Sequence, residues 1–106
     1  MEADRLLSEA VERIRKALEP ERIILFGSRA RGQVRPDSDY DLLVIQESPQ
    51  PRYRRAVRAY MALADLPVEF DVIVYTPGEV REWSAVPQAF VTTAMREGKL
   101  VYERKG

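Results

Sequence analysis

The sequence predicts an α/β or α+β layer fold with one small sheet. Amphipathic helical patterns alternate with short runs of aliphatic and aromatic residues, the signature of helices layered on a sheet. The 106 residues supply one hydrophobic core and are too few for a separate substrate domain. No repeat, low-complexity tract or linker interrupts the pattern, so residues 1–106 are expected to form one domain.

Residues 3–18 read as the first helix. Leu7, Val11, Ile14 and Leu18 recur at steps of four and three, with Ala3, Ala10 and Ala17 widening the stripe. Glu9–Arg13 and Glu12–Lys16 are i,i+4 pairs in the favourable order, and Pro20 closes the segment. Arg22 to Phe26 is a short strand ending at Gly27. Ser28 fits the N-cap of a helical turn over 29–31 that ends at Gly32, and residues 33–38 form a polar loop containing Pro36. Asp39 to Gln46 is the second strand. Pro49 and Pro51 lead into a second long helix, about 51–65, with Tyr53, Val57, Tyr60 and Ala64 as its inward stripe and Met61 beside it. Val68 to Tyr75 alternates as a third strand, and Thr76-Pro77 caps a short helix running to about Trp83. Trp83 itself reads as core or helix packing. Pro87 opens the last helix, with Phe90, Val91 and Ala94 inward and Gly98 after its end, and residues 100–102 make a final short strand.

Composition narrows the chemistry. Hydrophobic residues are 45% and charged residues 32%, a globular balance. No apolar run reaches the length of a membrane span, and the chain opens on an amphipathic pattern rather than a leader, so a cytoplasmic protein is expected. The absence of Cys and His excludes disulfides, zinc sites, thiol nucleophiles and histidine triads. Any metal must be held by oxygen, and any general base is Asp, Glu, Lys or Tyr. A net charge of zero argues against nucleic acid as the main partner. Locally, Arg52, Arg54, Arg55 and Arg58 crowd the second long helix. They read either as a solvated face or as a docking ridge for an acidic partner surface or an RNA.

The chemistry concentrates in three carboxylates. Asp39 and Asp41 stand two apart at the head of an apolar run, which puts them on one strand face with Cα atoms about 7 Å apart. Asp71 sits between Phe70 and Val72 in the next such run. Each alone has a plain structural reading, as a strand cap or a solvent-facing edge position. Together, on core-type strands, they are costly to bury without cations or donors. Carboxylates combined with phosphate oxygens bind Mg²⁺. Gly27-Ser28 reads equally as an ordinary strand-to-helix turn or as a phosphate cradle, where Gly permits close backbone approach and Ser28 opens free N–H groups. Of Arg29, Arg31 and Arg35, the first stands nearest Ser28 and is the favoured phosphate contact.

The stretch LFGSRARGQVRPDSDYDLLVI, from Leu25 to Ile45, with Asp71 on a later strand, resembles the DNA polymerase β-type nucleotidyltransferase superfamily. Its wording is similar to the stand-alone minimal nucleotidyltransferases, the MNT family, and the resemblance covers essentially the whole chain. It implies a small mixed β-sheet flanked by helices, the catalytic palm alone. It also implies transfer of a nucleoside monophosphate, AMP from ATP, onto a hydroxyl with release of pyrophosphate. Gly27, Ser28 and Arg29 would hold the triphosphate, Asp39 and Asp41 would bind two Mg²⁺ ions, and Asp71 would be the third carboxylate, binding one ion and helping to activate the attacking hydroxyl. Tyr40 is bulkier than the aliphatic residue expected between the two acids, but points to the opposite face. MNT proteins are commonly paired with a HEPN-domain toxin, onto a tyrosine of which they transfer AMP as antitoxins. Two other readings stay open: a non-catalytic antitoxin that occludes its partner through the arginine ridge, and transfer to a small molecule such as an aminoglycoside.

Overall fold

A computed structural model of the chain describes residues 2–30, 32 and 39–105. The predicted loop over 33–38, with Arg35 and Pro36, lies outside the described residues, as does Arg31. Helix α1 (Glu2–Leu18) buries Ala10, Ile14 and Leu18. It ends where Glu19 turns left-handed, at φ 51°, ahead of a proline that cannot continue the helix. Arg13 pairs with Glu9 at 3.0 Å and Lys16 with Glu12 at 3.9 Å, as expected, and Glu12 also takes Arg15.

The sheet comprises β1 (Arg22–Phe26), β2 (Tyr40–Ile45), β3 (Phe70–Tyr75) and β4 (Lys99–Glu103), in the order β3-β2-β1-β4. β1 is antiparallel to β2 and β4, while β2 and β3 run parallel, so the sheet is mixed. Parallel neighbours need a crossover connection. Two helical pieces supply it: α2 (Arg52–Arg55) and α3 (Val57–Leu63). Strand alternation then gives the sheet two apolar faces. Ile23, Leu25, Leu42, Val44, Val72 and Val74 pack beneath α1 and α3. Ile24, Leu43, Ile45 and Tyr75 pack against α5 (Phe90–Glu97). The result is a sheet sandwiched between helices.

Two expectations about the second long helix fail. It breaks at Ala56, and the stripe expected inward faces out: Tyr53 is 81% and Met61 73% exposed, with Val57, Tyr60 and Ala64 also exposed. Ala59 and Leu63 are buried in their place. A small residue at 59 lets α3 press close to α1, and Arg13 fastens the two by donating to Ala62 O at 3.1 Å and pairing with Asp65. Arg55 reaches the opposite way, to Gln50 O and Val74 O, which anchors α2 separately from α3.

The short helix α4 (Pro77–Trp83) starts as predicted. Thr76 and Glu79 form a reciprocal capping box, each side chain accepting from the other's backbone N–H. Trp83 lies 42% exposed rather than in the core. The last helix starts at Phe90, later than expected, because Pro87 instead sits inside a turn closed by Ala89 N–H donating to Val86 O at 3.1 Å. Val91 and Ala94 are buried as expected, yet Phe90 is 43% exposed. Among the described residues no helix is long and apolar enough to cross a membrane.

Candidate active site

The sheet register assembles the acidic residues. In the parallel pair Asp41 lies opposite Asp71, and in the antiparallel pair it lies opposite Phe26. Asp71, Asp41 and Phe26 therefore form a row across three adjacent strands, each step about 5 Å. All three share the face that packs against α5, since Leu43 and Ile45 follow Asp41, and Tyr75 follows Asp71, at even spacing, and Phe26 packs with them. Asp41 is half-buried and Asp71 exposed. Phe26 belongs to no motif, and its signal in the sequence is its place as the last apolar residue before Gly27.

Gly27 abuts this row. Its φ of 76° is left-handed, and a Cβ there would collide with Oδ2 of Asp41. The backbone thus passes the carboxylate more closely than any other residue type allows. Ser28 follows in a turn over residues 28–30, which Gly32 N–H closes onto Arg29 O at 3.3 Å. This is a turn rather than the first turn of a described helix.

The other predicted site residues are placed differently. Asp39 is exposed and stands just ahead of β2, outside the strand. Its neighbour Tyr40 is buried on the opposite face, stacked on Phe70 at 5.3 Å. The Arg29 guanidinium carbon lies 3.9 Å from the Tyr40 ring centroid, a cation–π contact on a residue of that other face. Gly27, Asp41 and Asp71 are thus brought together, and Arg29 is drawn toward Tyr40.

The donor chemistry suits a hard cation, because the carboxylates offer oxygen alone and the chain has no His or Cys. Among the described residues no three acidic side chains are gathered as a ready-made cation site. Asp41 and Asp71, one step apart on adjacent strands, offer two carboxylates, and phosphate oxygens of a bound nucleotide would complete the set, as is usual for Mg²⁺.

The arginine ridge divides. Arg55 pairs with Glu79 at 2.7 Å and Arg52 with the same carboxylate at 3.4 Å, and the Arg52 guanidinium lies over the Tyr75 ring at 4.4 Å. Arg54 and Arg58 face outward, beside the exposed Tyr53, Val57 and Met61.

Comparison with known proteins matches residues 9–106 to the family described as polymerase beta, nucleotidyltransferase. Among solved structures the fold is similar to a protein of Sulfolobus solfataricus described as a candidate nucleotidyltransferase, at TM-score 0.67 and 23% identity, covering 94% of this chain and 79% of that one. It is also similar to a chain of a toxin–antitoxin structure with AMP-PNP, at TM-score 0.63 and 22% identity, covering 92% and 73%. At these identities the structural likeness speaks for the fold. No curated protein matches the sequence.

Proposed function

The chain belongs to the polymerase beta nucleotidyltransferase family, and from that premise we propose that it transfers AMP from ATP, with Mg²⁺, onto a hydroxyl of a partner protein. The acceptor we favour is a tyrosine of a HEPN-type toxin, which makes the chain an antitoxin. The observation that carries the catalytic part is the register of Asp41 with Asp71 beside the backbone of Gly27. The acids and the turn that would cradle the phosphates thereby share one patch.

Each residue has a task that follows from its position. The backbone at Gly27 and the N–H groups of the turn after it receive the triphosphate, and the Ser28 hydroxyl adds a donor. Asp41 and Asp71, with Asp39 at the mouth of the same strand, would hold the two cations. When bound there, Mg²⁺ supplies neutralisation of the charge on the attacking and leaving oxygens of an in-line displacement. Asp71, the exposed member of the row, is placed to orient the incoming hydroxyl and draw on its proton. That oxygen then bonds to the α-phosphorus as the bond to the pyrophosphate oxygen breaks. Its exposure suits a large acceptor, because a protein tyrosine can reach it from solvent. The similarity to a toxin–antitoxin structure holding AMP-PNP supports both the nucleotide and the partner.

The test is transfer of label from [α-³²P]ATP to the partner in the presence of Mg²⁺. Asp41→Asn and Asp71→Asn are expected to lower transfer by about a hundredfold or more, since each removes charge stabilisation at the reacting phosphate. Labelling unchanged in both variants overturns catalysis. The outward Arg54 and Arg58, flanking exposed Tyr53 and Met61, favour one second reading, neutralisation by occlusion. In that case neutralisation survives Asp41→Asn and fails when those two arginines become Glu.

A further inference from the structure

A pocket of about 200 Å³ opens next to Gly27, lined by Phe26, Phe90, Thr93, Ala94 and Glu97. Four of these residues come from α5 at spacings of three, four and seven, so one helix face supplies them. The pocket exists because α5 is pinned at its ends and small in its middle. At the far end Gly98 lets the helix close on β1: a Cβ there would lie 2.5 Å from Ile24 Cγ2 and 2.8 Å from Leu25 O. At the near end Phe90 props against Phe26, ring centroids 5.2 Å apart and nearly perpendicular, and against Tyr75 at 6.4 Å. Thr93 and Ala94 between them leave the slot.

Two features of this slot are poorly explained by folding alone. Phe90 keeps much of its ring in contact with solvent, although the same helix buries Val91 and Ala94 fully. Glu97 closes α5, where a carboxylate opposes the helix dipole, and its ion pair is a 3.6 Å contact with the adjacent Arg96. Both serve a ligand better than they serve the helix.

Resting on the nucleotidyl-transfer reading, we propose that this pocket is the nucleobase site. Phe26 links the two places, because it lines the slot and is also the register partner of Asp41. A nucleotide whose phosphates lie on the Gly27 turn, with its α-phosphorus near Asp41, has its base alongside Phe26. The Asp71 end of the row is left for the acceptor. A flat base stacks on the exposed phenyl ring of Phe90. The Glu97 carboxylate at the rim accepts a hydrogen bond from an exocyclic amino group, and the Thr93 hydroxyl can donate or accept beside it. The slot therefore favours bases that carry an amino group, such as adenine, over uracil.

Titration of the whole chain with ATP, UTP and inorganic tripolyphosphate, each with Mg²⁺, tests this. Wild type is expected to bind ATP more tightly than UTP. Phe90→Ala is expected to weaken ATP by about tenfold, the usual loss of one base–aromatic stack, while tripolyphosphate binding stays unchanged. Glu97→Gln is expected to narrow the gap between ATP and UTP. Should circular dichroism show Phe90→Ala unfolded, Glu97→Gln decides, since residue 97 is exposed. If tripolyphosphate still binds but neither variant alters ATP affinity or the ATP/UTP ratio, the base site is overturned and nucleotidyl transfer stands. If wild type binds neither ATP nor tripolyphosphate, the nucleotide reading falls, and the base site with it.

Discussion

Gly27 concentrates more constraint than any other single residue near the site. A side chain there meets two obstacles, a left-handed backbone and the Asp41 carboxylate. Gly27→Ala is accordingly expected to cost about 1–2 kcal/mol from the backbone alone. It should also push Asp41 out of line, so nucleotide binding falls further than stability does; thermal melts and ATP titration on the same variant separate the two losses. The neighbourhood of Gly27, Asp41 and Asp71 is legible in the sequence because strand alternation and element order suffice to place it. The position of Arg29 is not. Its guanidinium lies over the Tyr40 ring, and that encounter depends on which face Tyr40 takes.

At the scale of elements, most boundaries follow from local signals. α1 stops at its proline, β1 spans the residues assigned to it, and α4 begins at its capping box. The segment over 51–65 is different because two stripes compete there. Tyr53, Val57, Tyr60 and Ala64 satisfy helical spacing, and so do Ala59 and Leu63; bulk favours the first set in a sequence reading. Close packing on α1 selects the second, since it has room for alanine and none for tyrosine. Nor does the sequence disclose that Arg55 and Glu79 meet. Donation from Arg55, aided by the Thr76 backbone N–H and by Arg52, holds the Glu79 carboxyl well below its ordinary 4.5, at about 2. A carboxylate whose folded pKa is depressed stabilises the fold above its unfolded value and loses that contribution as pH falls through the folded one. Solvent screening of this partly exposed pair reduces the contribution to on the order of 2 kcal/mol, expected in full above about pH 4.5 and draining away toward pH 2. Urea unfolding across that window checks it: Glu79→Gln should be less stable than wild type near pH 6, and the two curves should converge in acid.

Over the whole molecule the sheet is bordered by β3 on one side and β4 on the other. The β3 border is occupied. The Tyr60 hydroxyl accepts from Val72 N–H at 2.8 Å and donates to Val72 O at 3.3 Å, and Arg55 donates to Val74 O. Tyr60→Phe should speed amide exchange at Val72 selectively, by tenfold or more if the bond contributes about 1.4 kcal/mol, with little change at Val44 in the interior of the sheet. Backbone groups left bare along a border can recruit a strand from another molecule, which is how many sheets aggregate. Side chains from the crossover do the blunting here, so lateral growth past β3 would first have to displace a tyrosine and an arginine. The same connection that brings the two acids into register thereby also guards the strand carrying one of them from misassembly.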